Sequence, residues 1–121
     1  MFLNHLESVV SQVEGALACS VMGFDGIAVE THPAAPPPES DVDINNTWVE
    51  FAHILSQVKH AAGLLKTGDV SEISINTERI VTLMRCISSE YFLVLAIKPL
   101  GNYGKARYAL RIAAPRILAE L

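Results

Sequence analysis

Apolar residues recur along this chain in two periods, and the switches between them divide it into eight segments. Phe2, Leu3, Leu6, Val9, Val10 and Val13 fall at steps of three and four, with Glu7, Ser8, Ser11, Gln12 and Glu14 between them. That spacing predicts an amphipathic helix ended by Gly15. Residues 16–22 form an apolar run and read as a strand. The turn Gly23-Phe24-Asp25-Gly26 carries an Asp-Gly hairpin signal, and residues 27–31 return as a second strand. Residues 32–43 contain four prolines. They exclude helix and interior strand, and predict a stiff surface connector in extended polyproline form.

Residues 46–66 form the most informative segment. Asn45 or Asn46 can cap a helix there, and Thr67-Gly68-Asp69 ends it. Trp48, Phe51, Leu55, Val58, Ala62 and Leu65 make one apolar stripe at helical spacing. Val49, Ile54, Ala61 and Leu64 lie beside or behind it. A surface helix of a monomer needs a single stripe. The surplus predicts a helix with a sheet below it and another protein above, and so an interaction domain before an enzyme.

Three strands follow. Residues 70–75 put Ile73 and Ile75 on one face, Glu72 and Ser74 on the other. Residues 80–87 are next. Residues 91–97 are apolar throughout, as a central strand covered on both faces must be. Asn102 caps a last helix in which Tyr103, Ala106, Leu110, Ala113 and Ile117 share a face. Pro115 is expected to kink that helix or end it near Ala114. Short connections imply antiparallel neighbours. The expected fold is α+β, in the order α-β-β-α-β-β-β-α: one mostly antiparallel five-stranded sheet with helices on both faces, residues 1–121 making a single domain.

Composition sharpens this picture. The chain is 50% hydrophobic and 18% charged, against about 25% charged in typical domains. A surface so short of charge fits a protein that hides part of its exterior in an oligomer. Net charge is −4 with no basic run, which argues against nucleic acid and against an anionic membrane. The longest uncharged apolar run, 91–97, is too short to span a bilayer. No charged stretch followed by an apolar one opens the chain, and Cys19 and Cys86 read as buried thiols. A cytoplasmic location is expected.

Catalytic signatures are missing. Gly63-Leu64-Leu65-Lys66-Thr67 lacks the glycine before its lysine and ends a helix, so it makes no phosphate loop. Gly101-Asn102-Tyr103-Gly104 stands between a strand and a helix but reads as ordinary capping. His53 and His60 are two turns apart, not at the i, i+4 spacing that puts two ligands on one metal. Glu39, Asp41 and Asp43 read as the solvated entrance to the long helix. No catalytic residue, cofactor or metal ligand is expected.

The order of elements, the hairpin Gly23-Phe24-Asp25-Gly26-Ile27-Ala28-Val29 and the closing Asn102, Gly104 and Arg107 pattern together resemble the roadblock family, relatives of the dynein light chain of that name. At this length the chain is most similar to the family's bacterial MglB type. The resemblance implies a homodimer, or a heterodimer with another roadblock-like chain. Third strands would pair into a ten-stranded sheet and second helices would pack side by side. Applied here, Val70, Ile73 and Ile75 lie on the pairing edge, and Val49, Ile54, Ala61 and Leu64 are candidates for the helix contact. The resemblance also implies a regulator or activator of a small Ras-like GTPase, or else a structural adaptor. The exposed polar residues of the second helix, Glu50, His53, Gln57 and His60, would lie at or near that partner. Among Arg79, Arg85, Arg107, Arg111 and Arg116, Arg79 comes closest to a finger-like position, at a strand turn.

Overall fold

The computed structural model describes residues 2–34 and 41–121. The elements are α1 (Leu3–Gln12), β1 (Ala16–Gly23), β2 (Ala28–Pro33), α2 (Ile44–Leu65), β3 (Glu72–Asn76), β4 (Val81–Cys86), β5 (Tyr91–Ile97) and α3 (Tyr103–Leu118). The expected order holds. The five strands form one sheet in the order β2-β1-β5-β4-β3, and every neighbouring pair is antiparallel.

Alternation along β5 builds two cores. Leu93, Leu95 and Ile97 face one side, where they meet Leu6 and Val9 of α1 and Ala106, Leu110 and Ile117 of α3. Phe92, Val94 and Ala96 face the other, where they meet Trp48, Ala52 and Leu55 of α2. A strand apolar at every position is the sequence trace of burial on both faces. Cys19 belongs to the first core and Cys86 borders the second. The sheet therefore separates the two thiols, and both are free.

Several boundaries differ from the sequence expectation, each for a local reason. The first helix stops at Gln12; Val13 is already extended, and Gly15 follows with φ +85°. Gly15 and Gly101 touch: a Cβ on Gly15 would sit 2.7 Å from Gly101 Cα. Only paired glycines let the α1–β1 and β5–α3 turns approach this closely. β2 runs on to Pro33, two residues into the expected loop. An edge strand tolerates proline because one side of its backbone has no partner to supply. The polyproline reading of the remaining connector falls on 35–40, outside the described residues.

The cap of α2 is Asp43, whose Oδ1 accepts from the Asn46 N–H at 3.1 Å, so the asparagines lie inside the helix. Lys66 ends α2 in the left-handed region at φ +57°. In α3 the helix continues through Pro115 to Leu118. Pro115 is exposed while Ala113, Ala114 and Ile117 are buried. The carbonyl freed at Arg111 thus faces water, and the buried face holds the last turn in place.

Candidate interaction surface

Five strands about 4.8 Å apart span about 19–24 Å, and a helix with its side chains is about 10–12 Å wide. Two helices, α1 and α3, pack against each other over one face of the sheet. The opposite face has α2 alone. Its core-facing line is narrow: Trp48, Ala52 and Leu55 are its buried residues. The broad inward stripe expected from the sequence does not form, since Leu65 is 73% exposed and Phe51 and Val58 are only half-buried.

Helical geometry of about 100° per residue sorts the outer residues of α2 into bands. Ala61 and Leu65 each lie within about 20° of Ile54 (40% exposed), with Val58 and Phe51 between them and the sheet. Phe51 lines a cleft with Thr77 and Ile80 of the β3–β4 turn, so this band looks toward β3. Val49 lies about 140° round the helix from Ile54. It is exposed, and a Cβ on Gly26 would be 3.5 Å from its Cγ1, which puts it beside the β1–β2 turn. His53 and His60 share that side. Glu50, Gln57 and Leu64 form the crest between the two bands, all exposed. The structure thus separates Val49 from Ile54 and Ala61, and the histidines from Glu50 and Gln57.

β3 is an outer strand. Ile73 and Ile75 pack half-buried against the α2-side core, as does Val70 just before the strand. On the other face Ser74 Oγ and Tyr103 OH share a hydrogen bond of 2.7 Å. Glu72 Oε1 accepts from Arg107 Nε at 2.9 Å and from Arg107 Nη2, and Glu72 Oε2 accepts from Arg85 Nη1 at 3.3 Å. The Arg107 hydrogen bond, with Arg85 adding to it, holds the Glu72 carboxyl below its ordinary range. These contacts clamp β3 to α3 while leaving its outer backbone open. The sequence alternation put Glu72 and Ser74 on one face but gave no sign of Tyr103 and Arg107 as their partners.

The arginines are largely engaged. Arg79 pairs with Asp41 at 2.9 Å. Arg85 and Arg107 hold Glu72. Arg111 lies 5.6 Å from the Tyr108 ring centre. Desolvation raises the pKa of both thiols, most strongly for the fully buried Cys19, the reverse of what an activated nucleophile requires. Among the described residues no three His, Cys, Asp or Glu side chains cluster as a metal would need. Among them, too, no helix is long and apolar enough to cross a membrane.

An antiparallel sheet in this order, with two helices on one face, one on the other and an open outer strand beside the lone helix, defines a roadblock-type domain. No protein-family model matches the chain, and no curated protein does. Solved structures do. MglC from Myxococcus xanthus is 57% identical, with 99% of this chain and 98% of that one covered and a TM-score of 0.72. The chain therefore belongs to the roadblock/LC7 family, on its MglC-like side. The gliding protein MglB from Thermus thermophilus shares the fold at 19% identity, covering 99% and 90% of the two chains, with a TM-score of 0.83. A roadblock/LC7 domain from Streptomyces avermitilis does so at 11% identity, covering 96% and 93%, with a TM-score of 0.80.

Proposed function

We propose that this chain is a homodimeric regulator of a small Ras-like GTPase in gliding motility and cell polarity. It acts in the cytoplasm through protein contacts made by a single domain over residues 1–121. The observation that carries the reading is the uncovered flank of α2 beside the open strand β3. Ile54, Ala61 and Leu65 continue there into Ile73 and Ile75, and a second copy would bury them together. Likeness to MglC, and to an MglB described as a gliding protein, supports the motility setting. Val70 and Leu64 border this surface. Val49, His53 and His60 form a separate band, which leaves them for the GTPase or a second roadblock-like chain. Glu50 and Gln57 on the crest are within reach of either.

A specific observation favours the adaptor form of this reading over an activator that inserts an arginine. Arg85 and Arg107 are both held by the partly buried Glu72 of the same chain, and Arg79 meets Asp41 in an exposed surface pair. An adaptor would recruit the GTPase without adding charge at its phosphates, whereas an activator without a free arginine would have to reorder the GTPase's own switch residues. Light scattering on the purified protein, followed by GTP hydrolysis with a small Ras-like GTPase from the same organism, tests both forms. A dimer that binds the GTPase and leaves hydrolysis unchanged supports the adaptor. Stimulated hydrolysis supports the activator. A monomer at micromolar concentration defeats the dimer reading.

A further inference from the structure

The sheet-facing line of α2 changes character after its first three turns. At about 100° per residue, Trp48, Ala52, Leu55 and Lys59 fall within about 60° of arc, and Ala62 and Gly63 border it within about 20°. Trp48, Ala52 and Leu55 are buried. Lys59 and Ala62 are only half-buried, and Gly63 and Lys66 are exposed. A Cβ on Gly63 would meet nothing within 4 Å. Helix and sheet therefore part toward the end of α2, and a cleft of about 750 Å³ opens between them. Small-molecule sites occupy about 300–1,000 Å³. Lys59, Gly63 and Lys66 lie along the roof of the cleft, and Cys86, Ile87 and Ser88 along the opposite wall.

A lysine and a glycine on this line keep the cleft open and make its roof cationic. An apolar side chain at either place would close the helix onto the sheet, and glycine weakens a helix interior relative to alanine. Lys59 Nζ lies 3.5 Å from the Phe24 ring centre, so an aromatic face holds the charge beneath the helix. Burial raises the Cys86 thiol pKa, and the Lys59 ammonium leads the groups that oppose the rise, which places it near the thiol. Among the described residues no carboxylate pairs with Lys59 or Lys66. The Phe24 N–H donates to Glu90 O at 3.3 Å, which brings the Lys59 end of the cleft to the β4–β5 turn. There Ser88 Oγ accepts from the Glu90 and Tyr91 N–H groups, both at 3.2 Å, and keeps its own proton to donate.

We propose that this cleft binds a small monocarboxylate with an apolar chain, its acid group between Lys59 and Ser88 and its chain along Cys86 and Ile87 toward Lys66. The site goes beyond the dimer and GTPase reading and does not depend on it. Lys59 and Lys66 are separated by about 10 Å of helix, the length of a chain of about eight carbons. A single negative charge fits best. Lys59 supplies one positive charge at the inner end, and Asp69, which also lines the cleft, repels a second anionic group. The carbonyl end of α2, which disfavours anions, lies two turns away from Lys59, and its field fades within the last turn.

Octanoate is the probe, and alkylation of Cys86 in the full chain by uncharged iodoacetamide is the readout, followed by mass spectrometry. Cys19 is fully buried and does not compete. Saturating octanoate should slow alkylation of Cys86 by at least about fivefold, since a ligand in such a cleft has most of its surface covered. Octylamine, with the same chain and the opposite charge, should leave the rate unchanged; equal protection would overturn recognition of an acid group. Octyl phosphate binding more tightly than octanoate in calorimetry would overturn the monocarboxylate assignment. Lys59→Met keeps the length of the side chain and removes its charge, and should weaken octanoate at least about tenfold. Gly63→Leu should fill the cleft and weaken octanoate as much, while melting no lower than the parent because leucine is the better helix former. Parental affinity in either variant, or an unprotected thiol at about 10 mM octanoate, would overturn the site.

Discussion

Trp48 and Glu72 show how differently single residues declare themselves. Trp48 is 1% exposed and sits in the core beneath α2, where a stripe at helical spacing said it should be. Its Nε1 has no hydrogen-bond partner among the described residues, so its contribution is apolar packing. Trp48→Ala should lower unfolding free energy by about 3–5 kcal/mol in chemical denaturation. Glu72 was visible only as a polar position on an alternating strand. Its role depends on Arg107, thirty-five residues on, a separation over which sequence spacing carries no geometric information. Because the Glu72 pKa is lowered in the fold, its stabilising effect is complete above the unfolded carboxylate value of about 4.3 and is lost as pH falls through the folded value. Glu72→Gln should therefore cost stability at pH 7 and flatten the decline below about pH 4, as read from denaturation midpoints across pH.

Elements were more legible where burial was unambiguous. β5 matches its expected bounds because a run apolar at every position admits one placement between two layers. The ends of helices were less so. Asp43 and two asparagines stand within three residues, and all can cap; only the described hydrogen bond to the Asn46 N–H selects Asp43. The extent of α3 past Pro115 was not readable, because it depends on which side of the helix loses a donor. The contact of Gly15 with Gly101 was hidden for a similar reason: two separate turns must meet before either glycine is required. A Cβ on Gly101 would lie 2.8 Å from Glu14 O and 3.0 Å from Lys98 O, both backbone atoms. Gly101→Ala should destabilise by about 1–3 kcal/mol, measured by thermal melting. If Gly101→Ala melts with the parent protein, the two turns are not rigidly apposed.

At the scale of the molecule, the excess of apolar residues in α2 was legible from its sequence, while their division into two bands was not. A helical wheel gives angles, but only the fold gives the direction of the sheet and of its open edge. Val49 and Ile54 both looked like spare apolar positions; in the fold they flank α2 on opposite sides. Ile54→Asp should break the proposed dimer, because burying an unpaired carboxylate costs several kcal/mol. Val49→Asp should leave it intact. Light scattering on the two variants distinguishes a contact through the β3 side from one spread over the whole helix.

One rod laid over a sheet wide enough for two has a thermodynamic consequence. If the rest of its cover is a sister polypeptide, holding the chain in shape becomes a matter of mass action. Heat resistance then belongs to the solution as much as to the molecule. Diluting the protein tenfold removes about 1.4 kcal/mol per pair of chains, enough to lower the melting midpoint by a few degrees. A cell that makes too little of this protein would hold it half-clothed and short-lived, so its abundance would set its persistence as well as its occupancy.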